Sequence, residues 1–450
     1  MKEALPGPYG PIPFGRDELG YPSVEVRHRQ EELWVYGWFH GKDRLAQVWL
    51  WVMAAEGRMM EMMGDQPLTR LVDRAARQLD FRRHAQEQVA ALSADSRALV
   101  DAYCAGFAAG AKSRHWPLVL RALGLRRQDY RPKHMIELFR LLAYFGLTSC
   151  QHTSELAVTE LIARGVEEKG LQLLLGDVVD GLDLEALAKL RVDPMLLVPA
   201  VPGGSNAFAV AGSRSASGSA LMMSEFHMEI GKFPPLVYAI DVKRHEGSLQ
   251  GIGVPGLAWM STARTKHIGY TYTFGHGDSV DILVERCEGG RYLANGEWHS
   301  LDKRVEEVRI RGRRRREKWV FWDSPWGTIG EDAMAGGDLP CVRWTGLHTK
   351  TANDIEVLFA ITETKDVDAF VEAHRPFSTL SCHTVVADSA GDVAYVHVGH
   401  VDKRPAGWSG AYPRPGWDLT SRTPEVLGEE DRPVEVRPEC GFVASANERR

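Results

Sequence analysis

The stretch Gly203-Gly-Ser-Asn-Ala-Phe-Ala-Val-Ala-Gly-Ser-Arg214 decides how this chain is interpreted. A glycine pair precedes Ser205, and the alternation of small and larger residues after it predicts a strand. If the peptide bond before Ser205 breaks, the freed α-amino group, with an ordinary pKa of about 7.7–8, can serve as a base. One residue then supplies both the nucleophilic hydroxyl and the base. Taken alone, the pattern favours a flexible Gly-Ser loop leading into a strand.

On either side of this stretch the sequence changes character. The first 200 residues are mainly helical in pattern, and the chain after about residue 205 is mainly strand-like, with a helix near 367–373. Residues 193–204 contain three prolines and two glycines, which predicts an irregular linker between the halves. The predicted helices cover 45–63 with a stop at Gly64, a segment after an N-cap at Ser93, 135–145 and 155–164; the predicted strands include 207–210, 266–274, 384–387 and 393–398.

Composition excludes several classes of protein. The 450 residues are 44% hydrophobic and 25% charged, which is ordinary for a globular chain. A formal net charge of −6 gives no general attraction to nucleic acid or to anionic membranes. The six cysteines form no CxxC pair, which argues against a zinc ribbon or a thioredoxin motif. Without an apolar signal segment or membrane span, we expect a cytoplasmic protein, or a periplasmic or secreted one if the start is misplaced.

One basic run, residues 309–318, contains six arginines and a lysine. Such runs can hold phosphates. Glu306, Glu307 and Glu317 accompany it, and strand-like residues follow. The pattern therefore favours a solvated hairpin edge over a nucleic-acid site, and we expect no nucleic-acid partner.

Motifs along most of the chain carry a family resemblance. They are, in order, GRDELGYP at 15–22, GWFHGKDRLAQ at 37–47, SNAFAVAGSR at 205–214, TFGHGDSVD at 273–281, VADSAGDVAY at 386–395 and GFVASAN at 441–447. With these motifs the chain resembles the penicillin acylase (penicillin amidase) family of N-terminal-nucleophile hydrolases. The resemblance implies an α+β fold, the Ntn-hydrolase αββα sandwich, in which two packed antiparallel sheets lie between helical layers.

The resemblance also implies a processed precursor, or zymogen. Autoproteolysis between Gly204 and Ser205 would give an alpha/beta heterodimer from one chain. Residues 1–170 would form a helix-rich alpha-chain-like part. Residues 171–204 would be a linker or spacer that is cut or removed, and residues 205–450 would be the beta-chain-like core.

The family pattern assigns roles to particular residues. Ser205 would attack the amide carbonyl, with its own amine relaying the proton. His227 would orient or tune the Ser205 hydroxyl, and its alternative is a structural or surface histidine. The backbone N–H of Phe274 and the side-chain amide of Asn447 would form the oxyanion hole, and Met228 would face the substrate. No organic cofactor is implied.

A structural calcium site is implied as well. Glu155 on a helix, Asp278, the carbonyl of Val280, and Asp281 would supply oxygen ligands from two distant segments. The alternative is an acidic loop that binds no calcium.

The implied reaction is hydrolysis of a linear, non-peptide amide through an acyl-enzyme on Ser205. The small-molecule substrate stays open: a β-lactam amide, an N-acyl-homoserine lactone, a lipopeptide tail, or an N-acyl protecting group in antibiotic biosynthesis. The sequence departs from the family at 261–264 and 323–327, and it ends three residues after Asn447. We therefore expect a fragment of a longer protein, with a non-catalytic, unprocessed binding or scaffold protein as the alternative.

Overall fold

The chain is described by a computed structural model. The structure describes residues 3–145, 149–179, 182–190, 204–228, 235–275, 277–347, 353–404, 408–418 and 425–448. Helices and antiparallel sheets both contribute, which confirms the α+β class. The predicted linker at 193–204 lies outside the described residues except for Gly204.

The N-terminal part begins with strands that the sequence did not predict. These are β1 (Glu3–Gly7), β2 (Gly10–Arg16) and β3 (Pro22–Glu25). Their inward side chains, including Leu5, Ile12 and Val24, are almost completely buried. The mainly helical pattern expected for the first 200 residues did not anticipate these strands. Strands β1 and β2 pair with each other, β2 pairs with β3, and β3 pairs in parallel with residues 241–243 of the second half.

Helices dominate from residue 29 to residue 189. They are α1 (Arg29–Asp43), α2 (Leu45–Ala55), α3 (Met59–Met63), α4 (Pro67–Gln78), α5 (Phe81–Ala91), α6 (Ala94–Lys112), α7 (Leu118–Ala122), α8 (Pro132–Ala143), α9 (Ser149–Ala163), α10 (Glu168–Leu175) and α11 (Leu184–Lys189). Ser93 caps α6 as predicted, because its hydroxyl accepts the N–H of Ser96. Helices α1 and α6 pack backbone to backbone: a Cβ at Gly37 would collide with the carbonyl oxygen of Tyr103.

The helix predicted over 45–63 is two helices. Gly57 adopts a positive φ of 63° between α2 and α3, and a Cβ there would lie 2.9 Å from the carbonyl oxygen of Asp73. The Asp73 carboxylate accepts the N–H groups of Met59 at 2.6 Å and Met60 at 2.8 Å. Because this buried carboxylate accepts the first N–H groups of α3, α3 begins as a separate helix. Tertiary contacts thus override the helix propensity of residues 45–63. Gly64 ends α3 as predicted.

A ten-stranded sheet joins the two halves of the chain. Its later strands are β6 (Tyr238–Arg244), β7 (Gly247–Gly253), β8 (Met260–Arg264), β9 (Ile268–Phe274), β17 (Cys382–Asp388), β18 (Val393–Val398) and β20 (Val434–Val436). The order is β1-β2-β3-β6-β7-β8-β9-β17-β18-β20. The predicted hairpin of β17 and β18 is confirmed.

A small sheet packs face to face on the ten-stranded sheet. It contains β21 (Phe442–Ser445), β4 (Gly204–Val210) and β5 (Leu221–His227), in that order. Ala207 and Ala209 pack against Val385 and Tyr395 of the larger sheet. On the other side of the larger sheet lie α12 (Asn353–Ala360) and α13 (Val367–His374), the latter as predicted.

A third sheet lies in the second half. It contains β10 (Val280–Glu288), β11 (Arg291–Ala294), β12 (Glu297–Ser300), β13 (Asp302–Val308), β14 (Glu317–Ser324), β15 (Gly327–Ile329), β16 (Gly337–Trp344) and β19 (Arg414–Pro415). Helices α9 to α11 pack on it through Leu171, Leu187 and Val284. The basic run joins β13 to β14, so the predicted hairpin edge is observed.

Candidate active site

Ser205 occupies the inner face of the small sheet. Burial alternates along β4, so Ser205, Ala207 and Ala209 all face the larger sheet, while Phe208 points outward. Small side chains at 207 and 209 let the two sheets approach closely, which leaves Ser205 only 3% exposed. The strand predicted after the glycine pair therefore fixes the direction of the serine side chain.

Asn447 holds Ser205 from the C-terminal strand of the same sheet. The Ser205 N–H donates to Asn447 Oδ1 at 2.6 Å, and Asn447 Nδ2 donates to the carbonyl of Phe274 at 2.8 Å. These two partners assign the orientation of the Asn447 amide, because the Ser205 N–H needs an acceptor and the Phe274 carbonyl needs a donor. Asn447 Nδ2 and the Phe274 N–H both lie 3.4 Å from Ser205 Oγ. Two N–H donors therefore converge beside the serine oxygen.

The backbone at Asn447 is adapted to this position. Its φ is +65°, a left-handed conformation that asparagine tolerates better than most residues. The preceding strand is fastened to β9 by the hydroxyls of Ser445 and Thr273, which lie 2.7 Å apart. The Ser445 Oγ also accepts the N–H of Asn447 at 3.3 Å. Sequence reasoning did not single out this hydroxyl pair, because no spacing relates residues 273 and 445.

Gly204 and His227 face each other across the β4–β5 ladder. A Cβ on Gly204 would lie 2.9 Å from Asn447 Oδ1 and 3.2 Å from His227 Nδ1, so this position is too crowded for a larger residue without movement. The His227 ring is 3.2 Å from Asn206 Nδ2. Within the described residues it makes no hydrogen bond to Ser205. Its predicted role in tuning the serine remains a prediction.

Met228 follows β5 directly. Its N–H donates to the carbonyl of Phe226 at 3.0 Å, and the residue is half-buried. The assignment of Met228 to the substrate side also remains a prediction.

The predicted calcium ligands come together between α9 and β10. Glu155, Asp278 and Asp281 each place a carboxylate oxygen within 4.8 Å of the others. Glu155 is 1% exposed; its Oε2 accepts the N–H of Ile282 at 3.0 Å, and its Oε1 has no hydrogen-bond partner among the described residues. Val280 begins β10 between the two aspartates. Such a group of buried carboxylate oxygens suits a hard cation.

Arg404 belongs to the same cluster and was missed by sequence reasoning. Its guanidinium lies 2.8 Å from Asp281 and 3.1 Å from Asp278. Burial, followed by repulsion from the neighbouring aspartates, raises the pKa of Glu155 well above its ordinary value. Burial also raises the pKa of Asp281, to about 6, although Arg404 opposes this. With all three carboxyls ionised, the cluster and Arg404 together would carry two negative charges, which one divalent cation would balance.

A second buried cluster, Glu56, His134 and Glu137, has the residue types of a metal site. However, His134 Nδ1 accepts the backbone N–H of Arg131 at 3.0 Å, which puts the ring proton on Nε2 in the neutral tautomer. Glu56 is already paired with Lys133 at 2.7 Å and with Arg58 at 2.7 Å. This arrangement is a buried ion-pair network.

Within the described residues, no helix combines the length and the apolar character that crossing a membrane requires.

Comparisons with known proteins identify relatives of this chain. The chain is 25% identical over 474 residues to the acyl-homoserine lactone acylase QuiP of Pseudomonas aeruginosa, covering 97% of this chain and 55% of that protein. It is 25% identical over 468 residues to the penicillin acylase 2 proenzyme of Pseudomonas sp. (strain SE83), covering 99% of this chain and 59% of that protein. The chain thus spans little more than half the length of these relatives.

A solved structure of a thermostable penicillin G acylase from Alcaligenes faecalis aligns with a TM-score of 0.47 and 17% identity, over 54% of this chain and 44% of that one. The family model described as Penicillin amidase, by contrast, matches residues 15–450. Because that match covers nearly the whole sequence, the chain belongs to the penicillin amidase family.

Proposed function

We propose that this chain forms an amidohydrolase, or acylase, whose nucleophile is Ser205. The observation that carries the proposal is the convergence of two N–H donors, from Phe274 and Asn447, at 3.4 Å from the buried Ser205 Oγ. Such fixed donors are what an oxyanion requires. The substrate would be a linear N-acyl amide, which the enzyme would split into a carboxylic acid and an amine.

Autoproteolysis would create the working nucleophile. The Ser205 hydroxyl would add to the carbonyl carbon of Gly204, the Gly204–Ser205 C–N bond would break, and the α-amine of Ser205 would take up a proton. Water would then hydrolyse the resulting ester. The narrow space at Gly204, where a side chain would meet Asn447 and His227, supports this site of cleavage, because it requires a glycine directly before Ser205.

In the mature enzyme, the Ser205 amine would accept the hydroxyl proton while Oγ attacks the substrate carbonyl. The N–H donors of Phe274 and Asn447 would stabilise the negative oxygen of the tetrahedral intermediate. The proton would then pass to the leaving amine, and water would release the acid from the Ser205 ester.

Among linear amides, we propose N-acyl-homoserine lactones and β-lactam amides as the first substrates to test. The names of two relatives, an acyl-homoserine lactone acylase and a penicillin acylase, support this choice. An identity of 25% to each relative does not distinguish the two substrates. Small differences in the pocket decide between substrates, and one methylene in an apolar pocket changes the free energy of discrimination by only about 1–3 kcal/mol.

We also propose a structural calcium ion at Glu155, Asp278 and Asp281, with the Val280 carbonyl as a further ligand. The Oε1 of Glu155, which has no partner among the described residues, and the approach of the three carboxylates within 4.8 Å of one another support it. The ion would stabilise the packing of α9 on β10 and would take no part in the chemistry.

The test of the nucleophile is Ser205→Ala. We expect this variant to stay as one uncut chain and to hydrolyse no N-acyl amide, whereas the wild type yields a chain beginning Ser-Asn-Ala-Phe. Intact mass, N-terminal sequencing and amine release measure both effects. Ser213→Ala, an exposed serine shortly after β4, serves as the control and should be cut and active. Normal hydrolysis by Ser205→Ala would refute the mechanism, and an uncut wild type would favour a non-catalytic relative.

A further inference from the structure

A large cavity lies away from the residues that contact Ser205. Its volume is about 710 Å³, and it is formed where the β13–β14 turn packs over α3 and the segment that follows α7. Its lining includes one carboxylate, that of Glu61, and six arginines: Arg58, Arg126, Arg127, Arg309, Arg311 and Arg313.

Some of this positive charge is neutralised inside the protein. Arg58 pairs with Glu56 at 2.7 Å and with Glu61 at 3.0 Å. Arg313 pairs with Asp65 at 2.8 Å. These arginines are held by carboxylates and contribute little net charge to the cavity.

Arg309 lies 3.9 Å from Glu61, but the charge of the other three arginines is not neutralised. Arg311 donates to the carbonyls of Met62 and Ala122, both at 2.8 Å, and Arg127 donates to two further carbonyls at 3.1 Å. Carbonyls hold a guanidinium in place but leave its full charge. Arg126 is exposed, and in the part of the chain that the structure describes no carboxylate lies within ion-pair distance of Arg126, Arg127 or Arg311.

We propose that this cavity binds a small, multiply charged oxyanion, such as a di- or triphosphate group. Fixed guanidinium groups match phosphate oxygens two at a time, and this geometry favours arginine over lysine. Arg127 and Arg311 are held in place by their carbonyl partners, so little side-chain entropy is lost when a ligand binds. A cavity of about 710 Å³ suits a compact anion, whereas a nucleic-acid strand would need an extended track of cations.

The test is calorimetric titration of the full chain with sodium triphosphate at two salt concentrations. We expect saturable binding of one anion per chain that weakens as salt rises. Arg126→Gln/Arg311→Gln should weaken binding at least tenfold. Arg314→Gln/Arg315→Gln removes the same amount of positive charge from the basic run at 309–318 but outside the cavity lining, so it should change binding less than twofold.

The single variant Arg126→Gln keeps the contacts of Arg311, so it tests the proposal even if the double variant disturbs the fold. The Arg126 side chain makes no hydrogen bond among the described residues, and its loss should still weaken binding several-fold. Absence of saturable binding, or equal weakening by both double variants, would overturn the proposal. Tighter binding of a single-stranded oligonucleotide that depends on Arg314 and Arg315 would also overturn it, in favour of a surface nucleic-acid site.

Discussion

Asn447 touches Ser205 through both atoms of its amide, and this double contact makes a sharp prediction at the scale of one residue. Asn447→Gly removes the amide but keeps the freedom to adopt a positive φ. If the amide stabilises an oxyanion, kcat for an N-acyl amide should fall about 10²–10³-fold. Measurement requires processed enzyme, so the extent of cleavage is determined by mass in parallel.

The matched control is Asn295→Gly, since Asn295 also has a positive φ, of 50°, but lies in the turn between β11 and β12. It should leave kcat unchanged. An unchanged kcat in fully processed Asn447→Gly would remove Asn447 from the oxyanion hole.

Glu137 gives a second residue-scale prediction. It is fully buried on α8, and burial raises its pKa to about 8. In the unfolded chain a glutamate loses its proton near pH ~4.3. Between these values the native state binds more protons than the unfolded state, so the contribution of Glu137 to stability decreases as pH rises through this window.

Between roughly pH 5 and pH 8, the melting temperature of Glu137→Gln should therefore fall less than that of the wild type. Thermal unfolding over this pH range measures the difference. Glu246→Gln, at an exposed position, should leave the profile unchanged. A profile for Glu137→Gln that parallels the wild type would contradict the prediction.

At the scale of elements, the contact between α9 and β10 rests on the acidic cluster. If calcium binds there, chelation with EGTA should lower the melting temperature and added calcium should restore it, because unbalanced buried carboxylates oppose folding. Glu155→Gln should abolish this response. Glu160→Gln, on the same helix and paired with Arg164, should keep it. Identical melting with EGTA and with calcium would rule out the ion.

Sequence reasoning predicted elements whose signals are local. The cap at Ser93, the stop at Gly64 and the hairpin of β17 and β18 depend on neighbouring residues, and all three are observed. The hairpin of β1 and β2 was missed, as was the interruption at Gly57, which depends on a contact with Asp73 on another helix. Strand β3 was missed because it pairs with residues 241–243, far along the chain. Arg404 was missed for the same reason: its carboxylate partners lie more than a hundred residues earlier. The proximity of Ser205, Phe274 and Asn447 followed from family resemblance, and no local pattern relates them.

At the scale of the whole molecule, the two parts of the chain share one sheet and one core. Strand β3 pairs with β6, and Arg244 on β6 forms an ion pair with Glu32 on α1 at 2.6 Å. We therefore predict that cleavage before Ser205 leaves both pieces in one particle. Native size exclusion should show co-elution, with separation only in denaturant. Dissociation under native conditions would contradict this.

The size of the first piece follows from packing. Leu171, Leu187 and Leu190 are at most 1% exposed within the cluster formed by α9 to α11. Any spacer that is removed without unpacking this cluster must begin after Leu190. Such a spacer is shorter than the predicted one, which covers residues 171–204. Intact mass should accordingly give a first piece ending between residues 190 and 204. A piece ending near 170 would show that the cluster is dispensable.

The parallel pairing of β3 with β6 has a consequence for refolding. In the uncut chain, residues 23–25 reach residues 241–243 by closing a loop, whose entropic cost grows only slowly with length. After a cut before Ser205 the same pairing becomes an encounter of two molecules, which depends on their concentration. Once unfolded, the processed protein would therefore lack the effective concentration that one continuous chain provides. The fraction of processed protein that refolds after denaturation should fall on dilution, whereas the fraction of uncut Ser205→Ala that refolds should not.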